Sequence, residues 1–589
     1  MSTKYNFDYS KYKKELIGIL TEIDKVEKLN WRKFRQILSK YPKDGNRMFS
    51  KTHLVMGYQM LSKENYPGLP DQSILEKIQM KPMRTQSGVT TVTVLTKPYP
   101  CPGKCIFCPN DVRMPKSYLA DEPGAQRAER NNFDPYLQAY RRLKALHNIG
   151  HKVSKVELIV LGGTWSYYPE AYQIWFIKRC FQALNDFGDG IDQTEEMEKH
   201  TEKLNFETQD LEANTIRSES YNKMISKIAR KSHVNLQNQE QKATWEELFA
   251  EHKRNETNAC RNVGLVIETR PDNISPEEVI RIRKLGCTKT QIGIQSLDDS
   301  VLEMNKRGHD VESTKRAFRL LRQAGFKIHG HWMGNLYGSN VEKDIADYKK
   351  LFSTPYFHPD ELKIYPCMLV ESAELMDYYN KGLWKPYTSE EMLTLLKETI
   401  KATPQYCRLT RVVREFSAKD IFDGVKNSNF RQVAENSLDK DEVYRNDIRS
   451  REIKNKDINY DDLELKICEY ITDISTEKFL QYVTKDNQIA GFLRLSLPSS
   501  KEHSFIDELY NCSIIREVHV YGKSINVGDK QSGKAQHLGL GTRLIEKAKE
   551  ITKTAGYDKI AVISAIGTRE YYRKRGFKDG ELYQCTNLE

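Results

Sequence analysis

The chain has 589 residues, 39% of them hydrophobic and 29% charged, with a formal net charge of +11. That length exceeds what one hydrophobic core serves and sets an expectation of two or three domains, while the charge points toward an anionic partner, nucleic acid first. No apolar run approaches membrane-spanning length and Met1–Ser10 lacks an apolar signal block, so membrane and secretory readings are set aside and a cytosolic, water-facing protein is expected.

In chain order, residues 8–60 read as helices. Leu16, Ile19, Leu20, Ile23 and Val26 recur at helical spacing, and a second stretch covers Trp31–Leu38. Residues 1–85 hold 17 Lys and Arg against 9 Asp and Glu, so this segment carries most of the positive excess. Lys11, Lys13, Lys14, Arg32, Lys33 and Arg35 stand there beside Tyr12, Trp31 and Phe34. Pro67–Pro70 and Pro82 end the pattern, and the β-branched run Val89–Leu95 predicts a strand.

From there to about residue 365, strands and helices alternate. Val156–Leu161 ends in Gly162-Gly163, Val263–Ile267 in Glu268-Thr269-Arg270-Pro271, and Gln291–Ile294 in Gln295-Ser296; Lys327–His331 follows a helix ending near Gly325. Helices are expected over Pro276–Leu285 and Val311–Ala324. The alternation predicts an α/β fold, a parallel sheet with outer helices as a barrel or an open sheet, with function on the loops that follow the strands. Residues 186–258 break it with a polar stretch read as a surface insertion, partly helical or mobile. Residues 366–465 read as a mixed connector. Beyond Phe479, strands at Ile489–Leu495 and Ile514–Tyr521, a helix at Leu540–Thr552, a strand at Ile560–Ser564 and a last helix at Arg569–Arg575 outline a small α+β domain.

Eleven cysteines in a chain without an export signal are expected to stay reduced. Eight are scattered, as small buried hydrophobes are. Three fall in Cys101-Pro-Gly-Lys-Cys105-Ile-Phe-Cys108. Thiolates ligate iron–sulfur clusters. Three of them leave one iron of a 4Fe–4S cube open to a chelating substrate, much as catalytic zinc keeps an open position. A zinc knuckle with a distant fourth ligand is the alternative. Phe107, before the last cysteine, can shield the site from water.

This C-x3-C-x2-C spacing after a first strand resembles the radical S-adenosylmethionine (SAM) superfamily. The resemblance implies that Cys101, Cys105 and Cys108 hold the cluster. It implies that Gly162, Gly163 and Thr164 receive the methionine end of SAM, and that Glu268, Arg270 and Gln295 are further strand-end contacts. Glu268 and Arg270 also admit a plain salt bridge at a barrel rim. The chemistry implied is reductive cleavage of SAM to methionine and a 5′-deoxyadenosyl radical, with the protein orienting the cofactors and excluding water.

Near the C-terminus, Gln536-His537-Leu538-Gly539-Leu540-Gly541-Thr542 precedes a helix, where backbone N–H groups can cradle a pyrophosphate. It lies between Glu517-Val518-His519-Val520 and the strand Ile560–Ser564, with Tyr571-Tyr572-Arg573-Lys574-Arg575-Gly576-Phe577 following. This order resembles the GNAT acetyltransferases, in which a tyrosine beside the sulfur of CoA can protonate the leaving thiolate. Tyr572 is assigned that role, and Tyr571 the packing role.

Both resemblances in one chain are similar to the family of the catalytic subunit of Elongator and its bacterial and archaeal single-chain relatives. Cys105-Ile-Phe-Cys108-Pro109, Phe133-Asp134-Pro135-Tyr136-Leu137-Gln138, Lys155-Val156-Glu157, Glu268–Asp272 and Glu517–Gly522 are its most specific carriers. The resemblance implies a helical, basic tRNA-binding segment (1–80), a radical SAM partial (β/α) barrel (81–365, with the insertion 186–258), a connector (366–470) and a C-terminal GNAT domain (471–589). It implies acetyl-CoA-dependent carboxymethylation at C5 of the wobble uridine of tRNA, with a 4Fe–4S cluster, SAM and acetyl-CoA as cofactors. Acetyl-CoA would be met by Lys155, Glu517–Val520, Gln536, Gly539, Leu540, Gly541, Thr542 and Tyr572, with Lys155 and Tyr572 as catalytic candidates. Lys155 also reads as a solvated charge before a strand. Elongator-type subunits or self-association are implied as possible partners. Many relatives carry a cysteine pair in the connector for a structural zinc. Here that stretch is Asp447-Ile448-Arg449-Ser450-Arg451-Glu452, so no zinc is expected. A protein lysine acetyltransferase and a catalytically inactive tRNA-binding scaffold are the rival functions. The first leaves the cysteine triad without a task, and the second leaves both motifs without one.

Overall fold

The computed structural model describes residues 7–80, 88–201, 220–231, 241–414, 419–424, 426, 429–453, 462–499, 504–521 and 539–588. Parallel strands β1 (Thr90–Leu95), β2 (Lys155–Leu161), β3 (Arg261–Thr269), β4 (Lys289–Gln295), β5 (Lys327–Trp332) and β6 (Glu361–Ile364) lie side by side in that order. β7 (Leu369–Val370) leaves the sheet and pairs with β9 (Ile421–Asp423), while β8 (Arg408–Val412) joins β6 as the seventh parallel strand. The ends of this order, β1 and β8, do not pair, so the sheet is an open half-barrel. Side-chain alternation sorts each strand into an outer and an inner face. On β2, Val156, Leu158 and Val160 are buried beneath the helices, whereas Glu157, Ile159 and Leu161 face the lumen.

The second sheet contains β10 (Glu464–Ile471), β11 (Ser475–Val483), β12 (Ile489–Pro498), β13 (Cys512–Val520), β14 (Lys559–Val562), β15 (Lys578–Asp579) and β16 (Gln584–Asn587), in the order β10-β11-β12-β13-β14-β16-β15. β13 pairs in parallel with β14 only over Cys512–Ile515. Its remaining residues run on along β12 alone, so the sheet splays open beside Arg516–Val520. The helix Leu540–Thr554 covers this half, packing Leu544, Ile545 and Ala548 with Leu493, Leu495 and Ile515.

The second sheet docks on the N-terminal rim of the barrel, and the two share one core: Val92, Ile328 and Leu362 belong to the same buried cluster as Phe479, Phe492 and Ile514. Buried charges cross the seam. Asp360, just before β6, bonds Arg516 of β13 and lies 3.3 Å from Arg494 of β12. Arg516 also reaches Glu477 at 2.8 Å, and Lys327 of β5 bonds Glu517. Burial alone would raise the Asp360 carboxyl, but Arg516 and Arg494 outweigh it and hold it at about 2.

Two stretches differ from their sequence reading. The insertion 186–258 is more than a surface excursion. Its helix Trp245–Asn255 buries Leu248 and Asn255, and Asn255 donates to Asn185 at 2.7 Å. Its helix Tyr221–Lys231 buries Tyr221, Met224, Ile225 and Ile228 against Val112. The stretch 366–470 supplies β8 to the barrel and β10 to the second sheet. Within it, at the position where a cysteine pair was sought, Arg451 donates to Gln481 of β11 at 2.9 Å and to the carbonyl of Gln405 at 2.8 Å.

The N-terminal helices Lys13–Asp24, Trp31–Lys40 and Lys51–Lys63 close a small core of their own through Leu16, Ile19, Leu20, Phe34, Leu54 and Leu61. Lys13 is held by Glu64 at 2.7 Å, whereas Lys14, Lys33 and Arg35 are exposed. Neutralising Lys14, Lys33 and Arg35 together is expected to lower the slope of log K against log salt for tRNA by about two. An unchanged slope in a salt titration would remove this segment from the RNA interface. Among the described residues, no helix is long and apolar enough to cross a membrane.

Candidate active site: two cavities on one lumen

The loop after β1 carries the three cysteines to the C-terminal rim of the barrel. Ile106 pins it, its N–H donating to the Asn305 carbonyl at 3.2 Å and its carbonyl accepting from Leu375 N–H at 2.8 Å. Cys101, Cys105 and Cys108 all line a cavity of about 330 Å³. Gly162, Gly163, Thr164, Glu268, Arg270 and Gln295, chosen from the sequence for SAM, line the same cavity. Thr164 Oγ1 lies 3.7 Å from Cys101 Sγ. Gly162 has φ +150°, and a Cβ there would fall 1.9 Å from Thr96 Oγ1, so the turn after β2 admits only glycine.

Arg270 is clamped by Asp272 at 2.9 and 3.0 Å and donates to the Arg307 carbonyl at 2.8 Å. Glu268 accepts from the Tyr118 hydroxyl at 3.0 Å and stands 3.7 Å from His331. Arg307, which sequence reasoning missed, places Nη1 3.4 Å from Cys105 Sγ. The hydrogen bond between Cys108 and Cys105 lowers the Cys105 thiol, aided by the charge of Arg307, and raises that of Cys108, so the two sulfurs share one proton more readily than either holds its own. The signal for Arg307 was present in the Lys306-Arg307-Gly308-His309 turn that follows β4 and its helix.

These residues fit a cluster with SAM. Arg270 Nη1, Arg307 Nε and Gln295 Oε1 are buried without a hydrogen-bond partner, and all three residues line the cavity. Such atoms await a polar ligand. Among the described residues, no three His, Cys, Asp or Glu side chains converge as ligands of a single metal ion. The three cysteines are part of the lining of one cavity.

A second cavity, of about 930 Å³, fills the lumen toward the other rim and reaches the splay of the second sheet. Glu517, Val518, His519 and Tyr572 line it. Glu517 is engaged by Lys327 and by Arg494 at 2.9 Å, so it ties the sheets together as well as facing the cavity. His519 stacks on Phe492 at 5.6 Å and leaves Nε2 buried and unpartnered. Val520 lies beside Gly541. Gly539 caps the helix Leu540–Thr554 at φ +73°, and a Cβ on Gly541 would meet the Tyr571 hydroxyl at 2.3 Å. Thr542 accepts from Arg575 at 2.8 Å. Gln536 lies outside the described residues. Val520, Gly539, Leu540, Gly541 and Thr542 do not line the cavity, so of the residues proposed for acetyl-CoA it gathers Glu517, Val518, His519 and Tyr572, and the unpaired His519 nitrogen is open to a polar ligand there.

Lys155 does not line this cavity. It begins β2 on the same face as Glu157, in register with Arg261, whose side chain packs under Gly567 of the second domain. Burial lowers its ammonium below the usual range. The two tyrosines have different surroundings. Tyr571 is 36% exposed, with Arg575 lying 3.4 Å from its ring centre, while Tyr572 is 8% exposed and packs edge-on against Phe577. Tyr572 nonetheless borders the cavity, and burial keeps the proton on its hydroxyl. Tyr572→Phe is expected to slow tRNA-stimulated CoA release about a hundredfold. An unchanged rate would return Tyr572 to the core.

Thr93, Leu161, Lys363 and Arg411 line both cavities, which makes the two neighbours within one lumen. Lys363 donates to Gln291 at 2.6 Å, and burial pushes its ammonium down to about 8.

The Radical SAM superfamily model matches residues 238–348, and the Radical SAM C-terminal domain model matches residues 359–440. The chain is 36% identical to the tRNA uridine(34) acetyltransferase of Methanocaldococcus jannaschii over 87% of each chain. It is 31% identical to the human Elongator complex protein 3 over 86% of this chain and 85% of that one. The solved structure of the archaeal Methanocaldococcus infernus Elp3, with an N-terminal deletion, matches with a TM-score of 0.66 and 31% identity, covering 85% of this chain and 100% of that one. Likeness of this extent, over a half-barrel whose cysteine loop and glycine turn face one lumen, means that the chain belongs to the family of the tRNA uridine(34) acetyltransferases and Elongator complex protein 3.

Proposed function

We infer that the chain modifies the wobble uridine, position 34, of tRNA at C5, installing a carboxymethyl group drawn from acetyl-CoA. The observation that supports this reading is the shared lining of the two cavities, because a thioester at the splay and a cluster at the far rim would then be neighbours within one barrel lumen. Bound at that rim, a 4Fe–4S cluster with SAM supplies the reducing electron and the carbon radical that activate an unreactive C–H bond.

The chain's own residues bind, orient and keep water out. Cys101, Cys105 and Cys108 are the proposed cluster ligands. Gly162, Gly163 and Thr164 offer the methionine end of SAM a close-approach turn, and Arg270, Gln295 and Glu268 offer it unpaired polar atoms or a carboxylate. Gly539, Leu540, Gly541 and Thr542 present the start of a helix to the pyrophosphate of acetyl-CoA. Tyr572 holds a proton for the departing CoA thiolate, and Lys155 contributes positive charge at the rim. A protein acetyltransferase would use the second sheet and leave the cysteine rim idle.

The test is anaerobic reconstitution, with SAM cleavage, CoA release and anticodon-loop nucleosides followed together. SAM cleavage, CoA release that depends on tRNA and a carboxymethylated uridine are the expected results. CoA release on a peptide without tRNA would overturn the reading. Elongator-type subunits or a second copy of this chain as partners, and a cytosolic site of action, belong to the same proposal. The eleven unpaired cysteines support a reducing compartment.

A further inference from the structure

We propose that the helix Tyr221–Lys231 of the insertion braces the cysteine loop, and that Asn222 is a positioning residue for the first cluster ligand; this rests on the reading that the three cysteines hold a cluster. The loop between β1 and the helix Pro123–Arg130 carries all three cysteines yet contains no helix or strand of its own. Such a loop needs outside partners to hold three sulfurs at fixed corners.

The insertion grips it at three points. The Asn222 carboxamide meets the backbone of Cys101 on both sides, accepting from its N–H at 2.9 Å and donating to its carbonyl at 2.9 Å. The Tyr221 hydroxyl donates to the Met114 carbonyl at 2.6 Å, beyond the last cysteine. Gln241, at the far end of the insertion, accepts from Lys97 at 2.6 Å, ahead of the first. Below these bonds Tyr221, Met224, Ile225 and Ile228 close on Val112. The two bonds of Asn222 act as a short rung of β-ladder would, fixing the orientation of Cys101 while its sulfur stays beside Thr164 and faces the cavity. Asn222 touches only backbone, so its effect on the cluster passes through Cys101.

The test is Asn222→Ala and Tyr221→Phe in the full-length, cluster-loaded protein, read by the rate of iron release to a ferrous chelator under anaerobic conditions and by the electron paramagnetic resonance spectrum of the reduced cluster. Loss of both Asn222 bonds is expected to speed release about tenfold, and loss of the Tyr221 hydroxyl about threefold, with a broadened spectrum for Asn222→Ala and thermal unfolding near that of the parent. Lys227→Ala, on the exposed face of the same helix, is expected to release iron at the parent rate. Parent release rates and spectra in both Asn222→Ala and Tyr221→Phe would overturn the brace. Failure of the parent protein itself to take up iron would instead overturn the cluster reading on which the brace depends.

Discussion

Cys105→Ala is expected to abolish SAM cleavage, by about 10⁴-fold or more, while changing tRNA affinity less than about twofold. Cys105 is the middle ligand of the proposed three and the most deeply buried. Its sulfur faces Arg307 at 3.4 Å, and the next residue is pinned from both sides by Asn305 and Leu375. Two remaining thiolates would leave two irons of a cube without protein ligands. RNA affinity, by contrast, comes from phosphate contacts made elsewhere on the surface. Cys468→Ala, which removes a half-buried thiol from β10, is the matched control and should cleave SAM normally. Paired measurement of 5′-deoxyadenosine formation and tRNA binding checks the split, and equal loss of both would contradict a cluster role.

Arg516→Met should cost about 3–5 kcal/mol of stability, because it leaves Asp360 and Glu477 buried beside one partner fewer. For a chain of this size that is a fall of roughly 3–4 °C in the unfolding midpoint. The loss falls on the seam, so calorimetry is expected to show the single transition of the parent divide into two. The pH dependence follows from the sign of the Asp360 shift. Its carboxyl is held at about 2, below the ordinary value of 3.8, so its contribution is complete above the ordinary value and is lost as pH falls through about 2. At neutral pH the variant therefore shows the full deficit. A midpoint within a degree or two of the parent would mean that the seam charges merely cancel their own desolvation.

What could be read in the sequence was whatever is local in it. A C-x3-C-x2-C loop, a glycine pair after a strand and a glycine turn before a helix each carry their meaning within ten residues. The apolar runs of β1 to β3 stood out for the same reason. The lumen could not be read that way, since its polar wall is assembled one or two residues at a time from separate strands. A trace of it exists in the alternation of Lys327, His329 and His331 on β5, and of Glu361 and Lys363 on β6, where polar residues recur every second position between buried apolar ones. β8 was hidden because Arg408–Val412 is short and carries two arginines. The helix Tyr221–Lys231 was hidden because four apolar residues are outweighed by a polar composition, although their i, i+3, i+4, i+7 spacing marks a buried face.

On the proposed reading, the division of the lumen into two cavities also has a kinetic meaning. With SAM at the cysteine rim and acetyl-CoA at the splayed sheet, each small cosubstrate would occupy a cavity of its own. Neither would then have to depart before its counterpart arrives, so saturation by one is expected to leave the apparent KM of its counterpart without a competitive term, and Thr93, Leu161, Lys363 and Arg411 are the side chains that stand between them.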